Sequence, residues 1–491
     1  MAMLRAFAAG ALLFCAALLP VRLAAAPARG GPAFEQLLDR MRAVNGPVWD
    51  THFISISRLE FNGSATVVST EGLGVAFVLR RCDGEVCAGT YFDGERLYTV
   101  DMNDTALLES PQTEPYLRAL RTIASLTFLS PAFEPGGGRL TDGGTQTLYG
   151  KRYATMIMSD PKAVSLRIFV DPQTALVRYV RDIAAVDTFE YRDYRRVEGY
   201  TLPYEITHNG TVLEHYDDRT PVGTAFDAPH GFRAAFSGAP RAIATDPAYV
   251  TPIFECTLGG IAVKCLLDSG NSGLSISTDL AARLGAPVVG NFQVLGLGAY
   301  GTQVVRAGPL IVGNATYPEA YYVTLSDISQ HGYDIVLGAD VFASTTLELD
   351  AKNHTVRFGA APAAGGITLP ISFENFVPVV NVGLGTVDAR LAVDTGDESN
   401  INLSYDFYAK HPDLFTATQH RMVSGIGGQS IQVIGQIPQV TLGDYRTGPQ
   451  TIGATRSLQG TAFGHLGAAF LQQFQVQMDY TAGELHLTPL P

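Results

Sequence analysis

The sequence predicts a mainly β chain whose C-terminal half is a duplicated unit. Three observations predict this class. Short segments that alternate apolar and polar residues, bounded by turn residues, recur from about residue 50 to the end. A β-rich unit of about 120 residues occurs twice after residue 248. The length of 491 residues is too great for one core and predicts roughly three domains.

Composition narrows the classes of function. Apolar residues make up 46% of the chain and charged residues 16%, as expected of a globular protein. The 34 basic and 47 acidic residues give a net charge of −13, without long runs of one sign. This charge argues against nucleic acid or an anionic membrane surface as a partner.

The N-terminus has the order of a secretory signal peptide. One arginine precedes an apolar run from Ala6 to Leu19, and the small residues Ala24-Ala25-Ala26 follow it. The run is short for a membrane span, which needs about 20 residues, and an uncleaved anchor is the alternative. We therefore expect residues 1–26 to be a signal peptide and the protein to be exported, periplasmic or secreted.

Residues 31–220 are expected to form one β-rich domain. Helices are expected at AFEQLLDRMRAVNG and around EPYLRALRTIASLTFLS, among many strand-like segments. The overall pattern, with the pieces FVDPQTALVRYVRD and DYRRVEGYTLPYEIT, resembles the periplasmic lipoprotein-carrier (LolA-like) superfamily. That resemblance implies a curved antiparallel sheet with helices, able to bind an apolar ligand. Residues 221–248 are rich in Pro, Gly and Ala and predict a linker.

Four cysteines remain after the signal peptide, in two close pairs. Cys82 and Cys87 flank a turn-forming DGEV, and Cys256 and Cys265 flank a hairpin with Gly-Gly at its tip. Close pairs in an exported protein predict two local disulfides. For the second pair, buried free thiols are the alternative. A zinc site is not expected, because no histidine lies at ligand spacing beside either pair.

From residue 249 onward the chain repeats itself. Residues 251–270 align without a gap with residues 377–396, and residues 337–358 align with residues 466–487. Each copy runs through an apolar strand into an Asp-Ser/Thr-Gly triplet, Asp268-Ser269-Gly270 in the first and Asp394-Thr395-Gly396 in the second. A repeat this long predicts two lobes, residues 249–366 and 367–491, rather than a solenoid.

The order of features in each copy resembles the retropepsin-like and pepsin-like aspartic peptidases. An apolar-apolar-Gly segment follows each triplet, as Val336-Leu337-Gly338 and, less closely, as His465-Leu466-Gly467. The resemblance implies two retropepsin-like β-barrel lobes whose aspartates meet at a pseudo-two-fold axis. It implies Asp268 and Asp394 as the catalytic pair, and flaps for substrate binding that contain Tyr300, Gly301 and Gly427.

Aspartic peptidase chemistry explains these residue types. Two carboxyl groups a few ångströms apart cannot both ionise, so the pair acts as one acid and one base around a bound water. The Ser269 and Thr395 hydroxyls can hydrogen-bond across the axis, while Gly270 and Gly396 let the backbone approach the carboxylates. Because the pair titrates as a unit, the sequence assigns neither role to one aspartate.

Three features depart from the family pattern. Asn271 and Asp397 follow the triplets where a small or hydroxyl residue is usual, and the acid at 397, with Glu398 next, can disturb the pair by like-charge repulsion. The second copy has no tyrosine at its flap position. His465 replaces an apolar residue, and we expect it to be a partly buried histidine with satisfied hydrogen bonds rather than a catalytic group.

The sequence therefore predicts an aspartic-type endopeptidase, a hydrolase that acts on a polypeptide substrate. No cofactor and no metal are expected, and a monomer is expected because both lobes are in one chain. One alternative is a non-catalytic peptide- or lipid-binding envelope protein that retains the peptidase fold. In another, each aspartate only caps a turn inside a duplicated β domain. A binding protein should tolerate the loss of one carboxylate, whereas a peptidase should not.

Overall fold

The computed structural model describes residues 30–61, 64–109, 114–182, 187–295, 299–326, 328–361, 365–425, 428–456 and 464–491. The predicted signal peptide and Gly427 lie outside these residues. The fold is mainly β, as predicted. No helix within the ranges given is long and apolar enough to cross a membrane.

The N-terminal part is one antiparallel sheet of 13 strands in the order β6-β5-β4-β3-β2-β1-β13-β12-β11-β10-β9-β8-β7. Its helices are α1 (Pro32–Asn45) and α2 (Pro115–Ala124), with single 3₁₀ turns at Val48–Asp50 and Thr127–Leu129. The strands are β1 (His52–Phe61), β2 (Ser64–Leu73), β3 (Ala76–Asp83), β4 (Val86–Phe92), β5 (Leu97–Val100), β6 (Ala106–Leu108), β7 (Arg139–Leu148), β8 (Lys151–Ser159), β9 (Leu166–Val170), β10 (Val177–Asp182), β11 (Thr188–Val197), β12 (Tyr200–His208) and β13 (Thr211–Gly223).

Both predicted helices of this part are present, and their apolar faces pack on the sheet. Leu38 and Met41 of α1 and Ile123 of α2 share one buried cluster with Ile168 and Val180. The burial of these faces holds each helix in place, since short helices have little stability of their own. The likeness to lipoprotein carriers stays a prediction.

The first C-terminal lobe is built on a ten-stranded sheet in the order β14-β22-β21-β16-β17-β24-β18-β23-β20-β19. Two of its short strands, β14 and β15, lie in the segment predicted to be a linker. Its elements are β14 (Ala235–Phe236), β15 (Ala242–Ala244), β16 (Ile253–Leu258), β17 (Ile261–Leu267), β18 (Leu274–Ser277), α3 (Thr278–Leu284), β19 (Val288–Leu295), β20 (Ala299–Ala307), β21 (Leu310–Val312), β22 (Ala315–Tyr317), β23 (Ala320–Leu325), a 3₁₀ turn (Ile328–His331), β24 (Ile335–Leu337), α4 (Ala339–Ser344), β25 (Leu347–Asp350) and β26 (Thr355–Phe358).

Residues 367–491, the predicted second lobe, have a main sheet of their own in the order β32-β33-β36-β31-β37-β30-β29-β34-β35, with β28 paired to β29. Its elements are β27 (Ile367–Pro370), β28 (Ser372–Glu374), β29 (Val377–Leu384), β30 (Val387–Asp394), β31 (Ile401–Ser404), α5 (Tyr405–Lys410), a 3₁₀ turn (Pro412–Leu414), β32 (Thr416–Gly425), β33 (Gly428–Ile437), β34 (Val440–Leu442), β35 (Tyr445–Arg446), β36 (Gln450–Thr455), β37 (Gly464–Gly467), α6 (Ala468–Leu471), β38 (Phe474–Asp479) and β39 (Glu484–Pro489).

A six-stranded sheet, β15-β26-β25-β38-β39-β27, joins the two lobes. The strands β25 and β26 come from the first lobe, and β27, β38 and β39 come from the second. The direct pairing of β25 with β38 makes the lobes continuous. Each lobe also places one short strand between two others in the same way: β24 lies between β17 and β18, and β37 lies between β30 and β31.

Both predicted cysteine pairs form disulfides, Cys82–Cys87 and Cys256–Cys265. The first joins the opposed residues of the β3–β4 hairpin. The turn of this hairpin contacts the first lobe, because Gly84 packs against the backbone of Val289 in β19. The alternative of free thiols at Cys256 and Cys265 is wrong, because the structure joins them in a disulfide.

The loop between β5 and β6 docks the N-terminal part onto the first lobe. The Asn103 side chain donates to the carbonyl oxygen of Tyr321 at 3.1 Å and accepts from its N–H at 2.8 Å. Asn103 and Thr105 both donate to the carboxylate of Asp340, which is fully buried. Burial, together with the neighbouring Asp340 carboxylate, raises the pKa of Asp101 well above its ordinary value. This contact therefore brings two buried carboxyl groups from different parts of the chain together.

Candidate active site

Asp268 and Asp394 lie at the ends of two apolar strands, β17 and β30, and their carboxyl groups are close together. The strand β17 runs parallel to β24, and the Asp268 N–H donates to the carbonyl oxygen of Leu337 at 2.9 Å. In the second lobe β30 runs parallel to β37, with Asp394 opposite Gly467. The three residues before each aspartate are buried, so each aspartate lies where the buried end of a strand leaves the sheet. The repeat in the sequence is therefore a repeat of this strand-to-loop transition.

The glycines of the apolar-apolar-Gly segments are required by close backbone packing. A Cβ at Gly338 would collide with the carbonyl oxygens of Asn271 and Gly273 in the first triplet loop. A Cβ at Gly467 would collide in the same way with the carbonyl oxygens of Asp397 and Ser399. Each glycine thus allows its strand to support the loop that carries the aspartate.

Four hydrogen bonds hold the two loops to each other. The Ser269 hydroxyl donates to the carbonyl oxygen of Val393 at 2.6 Å and accepts from the Thr395 N–H at 3.1 Å. The Thr395 hydroxyl makes the matching pair, donating to the Leu267 carbonyl at 2.7 Å and accepting from the Ser269 N–H at 3.0 Å. Both hydroxyls are buried. The set has two-fold symmetry, so each lobe fixes the loop of the other.

The carboxyl group of each aspartate packs against the glycine of the opposite loop. A Cβ at Gly270 would overlap the Asp394 carboxyl group, and a Cβ at Gly396 would overlap the Asp268 carboxyl group. The N–H of each glycine donates to the aspartate of its own triplet, at 2.8 Å for Gly270 and 3.0 Å for Gly396. The glycines therefore let the carboxyl groups meet at the axis.

The two carboxyl groups differ in their pKa values. Burial, and then the charge of Asp394, raises the pKa of Asp268 well above its ordinary value. Burial acts on Asp394 in the same direction, but His465 donates a hydrogen bond and carries a positive charge, and the net result lowers the pKa of Asp394. The pair therefore shares one proton over an intermediate range of pH, and the contact with His465 favours the negative charge on Asp394.

The sequence reasoning gave His465 no catalytic role, yet it lies beside Asp394. Its Nδ1 is 3.1 Å from Asp394 Oδ2 and 3.5 Å from Asp397 Oδ2. Burial alone would lower the pKa of His465, but these two carboxylates raise it to about 10. The imidazolium therefore balances the negative charge of Asp397. Ser399 also donates two hydrogen bonds to Asp397, which fix the position of that carboxylate beside His465.

A group of three side chains could hold a metal ion: one ligand atom each from Asp394, Asp397 and His465 lies within 4.8 Å of the other two. These are ligand types that zinc accepts. However, Asp394 Oδ1 already accepts hydrogen bonds from the N–H groups of Gly396 and Asp397, and the imidazolium satisfies Oδ2. The ion pair therefore accounts for this cluster as it stands.

Asn271 and Tyr300, two further residues singled out in the sequence, line the same cavity as the aspartates. Asn271 bonds within its own loop, donating to the Gly273 carbonyl at 2.8 Å. Tyr300 in β20 packs on an apolar cluster that includes Ile253 and Leu266. Gly301 follows it in the same strand, whereas the predicted flap residue Gly427 lies outside the described residues.

A cavity of about 2610 Å³ opens above the two aspartates. Asp268 and Asp394 line it, as do Tyr300 and Tyr333 of the first lobe and Gly425 of the second. Burial, and then the charge of Asp268, raises the pKa of Tyr333 to about 12, so its hydroxyl stays protonated and can donate a hydrogen bond. The cavity also extends over one face of the N-terminal sheet, which the sequence did not indicate.

Comparison with known families supports the same region. A family model described as aspartyl protease matches residues 254–341. Residues 254–341 are similar to aspartyl proteases. The match contains the Asp268 triplet, the β19–β20 hairpin that was predicted to be a flap, and Gly338. The second copy, with Asp394, lies beyond it, and comparison with curated proteins finds no match.

Proposed function

We propose that this protein is an aspartic endopeptidase that hydrolyses peptide bonds with Asp268 and Asp394. The observation that carries the proposal is the approach of two half-buried carboxyl groups, one from each copy of the repeat, on loops held by a symmetric set of hydrogen bonds. An aspartate that only caps a turn needs no second carboxyl group against it. The similarity of residues 254–341 to aspartyl proteases supports the same reaction.

In the proposed mechanism a water molecule binds between the two carboxyl groups. Ionised Asp394 takes a proton from the water, whose oxygen attacks the amide carbonyl carbon, while Asp268 gives its proton to the carbonyl oxygen. The amide nitrogen is then protonated from the pair, the C–N bond breaks, and the products are a carboxylic acid and an amine. The polarity of the roles follows from His465, which keeps the negative charge on Asp394.

The test is cleavage of an unfolded protein mixture across acidic and neutral pH by the wild type and by Asp268→Asn and Asp394→Asn. Both substitutions should abolish cleavage, because neither the base nor the acid can be replaced by an amide. Asp388→Asn is a matched control, since Asp388 is an exposed residue of the same strand as Asp394 and should retain activity. Circular dichroism should show that all variants remain folded.

The competing function is a binding protein that keeps the cleft without catalysis. The cavity is large enough to hold a polypeptide segment whether or not the bond is cut. If the wild type cleaves nothing at any pH while the Asp268→Asn and Asp394→Asn variants bind peptides as well as it does, the peptidase proposal is wrong and the cleft is a binding groove.

We also propose that the protein is exported. The signal-like N-terminal sequence and the two disulfides support this, because disulfides persist mainly in oxidising compartments. Mass spectrometry of the protein recovered from the envelope or medium should show a chain that begins near residue 27. A chain found only in the cytoplasm with its first 26 residues intact would contradict export.

A further inference from the structure

The cavity above the aspartates continues over one face of the N-terminal sheet. The strand β3 contributes Phe77, Leu79 and Arg81, which alternate along the strand and so share this face. The helix α2 closes it with Leu120 and Arg121. The wall there is largely apolar, but it also carries charged side chains: the cations Arg81 and Arg121 and the acids Glu109, Glu114 and Glu214.

Arg121 is charged and partly buried, and the described residues supply no hydrogen-bond acceptor to its side chain. Its guanidinium lies 4.6 Å from the centre of the Phe77 ring, a cation–π contact. Its Nε is buried, and no described residue accepts a hydrogen bond from it. Burial lowers the pKa of Arg121, and the charge of Glu214 partly offsets this. Even so, no described carboxylate lies within ion-pair distance of Arg121, and Glu214 accepts its own hydrogen bond from Tyr216.

A buried cation without a partner is costly, and a bound anion would offset that cost. Guanidinium groups bind carboxylates in a bidentate geometry, so a carboxylate is the group that this position fits best. The apolar side chains around Arg121 would exclude water from such a pair and so strengthen it.

The size and continuity of the cavity indicate what carries this carboxylate. Its volume of about 2610 Å³ is well above the roughly 300–1,000 Å³ of small-molecule sites. It reaches Asp268 and Asp394 without a break, so one extended molecule can lie against Arg121 and the aspartates together. A polypeptide meets both conditions, and the threonines of the wall at positions 70, 90 and 99 offer hydroxyls to its backbone.

We propose that Arg121 binds a carboxylate of the polypeptide substrate, at a position remote from the bond that is cut. The carboxylate is the C-terminal group or an Asp or Glu side chain, flanked by apolar residues that lie on Phe77, Leu79 and Leu120. The N-terminal domain is then part of the substrate site and selects acidic, apolar segments. That the bound polypeptide is a substrate rests on the proposed function, but the binding of its carboxylate to Arg121 does not require cleavage.

The test uses the full chain with Asp268→Asn, so that bound peptides stay intact. A pool of random peptides is applied with free C-termini, and the peptides retained are identified by mass spectrometry. The best of them is then titrated by fluorescence anisotropy in three forms: as the free acid, as the C-terminal amide, and as the amide with Gln in place of Glu and Asn in place of Asp. The acid and amide forms distinguish the two sources of the carboxylate.

The peptide form that retains the carboxylate should bind at least about tenfold more tightly than the neutral form, as expected for a hydrogen bond between charged groups that is shielded from water. Adding Arg121→Met should remove that difference, and Arg121→Lys should retain part of it. Arg152→Met, which changes an exposed arginine of β8, is the matched control and should leave it intact. The comparison of peptide forms on the protein with Arg121 present does not depend on whether Arg121→Met folds.

Equal binding of the acidic and neutral forms would overturn the proposal, as would a preference that survives Arg121→Met. Displacement of the peptides by sodium oleate, with affinity that falls on Arg121→Met, would also overturn it and assign the site to a fatty acid. Carboxylate-dependent binding without any cleavage by the wild type would refute the peptidase but not the role of Arg121. Cleavage by the wild type at a rate that does not depend on the carboxylate would refute the role of Arg121 but not the peptidase.

Discussion

Replacement of His465 by leucine should move the entire pH–activity profile to higher pH. His465 lies 3.1 Å from Asp394 Oδ2, and its pKa is raised to about 10, so it is cationic through the working range. The cation stabilises the ionised form of the aspartate pair. Leucine restores the apolar residue that the family pattern has at this position and removes only the charge and the hydrogen bond.

The size of the shift follows from the distance. Two unit charges 3.1 Å apart interact by about 5 kcal/mol at an effective dielectric constant of about 20, or close to four pKa units as an upper limit. Opposite charges in direct contact usually change a carboxyl pKa by one to three units, so a shift of roughly one to three units is expected. The uncompensated charge of Asp397, 3.5 Å from His465, acts in the same direction.

The assay is kcat/KM against pH with a quenched fluorescent peptide, since this profile reports the ionisations of the free enzyme. Both the acidic and the alkaline limb should move up in His465→Leu. Asp397→Asn is the matched control with the opposite sign, because it removes a negative charge and leaves His465 to Asp394 alone. Limbs that stay in place, or that move down, in a folded His465→Leu protein would refute the electrostatic role of His465.

Other parts of the site give three more predictions. Thr395→Val should lower the free energy of unfolding by about 1–3 kcal/mol in urea, because the buried Ser269 N–H loses its acceptor, and an unchanged value would contradict the loop contact. Gly270→Ala should reduce kcat by a hundredfold or more, since its Cβ meets the Asp394 carboxyl group, whereas Gly448→Ala, with open space around it, should be silent. The pKa of Asp101 is raised in the folded protein, so its contribution to stability is complete below its ordinary pKa of 3.8 and is lost as pH rises through the raised value. Asp101→Asn should therefore weaken the dependence of the melting temperature on pH above 3.8. Curves of melting temperature against pH that run parallel in the wild type and the variant would contradict this.

Much of the site could be predicted from the sequence because the Asp-Ser/Thr-Gly segment and its preceding strand occur twice in the chain. A single Asp-Ser-Gly is common in turns, but Asp268 and Asp394 occupy the same position of a gapless repeat, each after an apolar strand. Hydroxyl and glycine follow each aspartate, and these residue types match the contacts that the structure shows. Local patterns also predicted the mainly β class and both helices of the N-terminal domain.

What the sequence did not reveal depends on contacts between distant segments. His465 meets Asp394 only because β37 lies parallel to β30, and no local pattern reports that register. Asn103 meets Tyr321 through a loop without periodicity. The strands β14 and β15 are two and three residues long, too short for alternation to be visible, so their segment reads as a linker. Arg121 looks like an ordinary residue of an amphipathic helix.

The sheet that joins the lobes has a consequence for biosynthesis. A ribosome delivers the chain from its N-terminus, so β25 emerges well before β38, the strand with which it pairs. The strand β37, which supports Asp394 and carries His465, emerges just before β38. A nascent chain therefore has its first aspartate long before it has the support for the second. Any cutting activity by this pair would have to wait until β37 has been synthesised and has paired with β30.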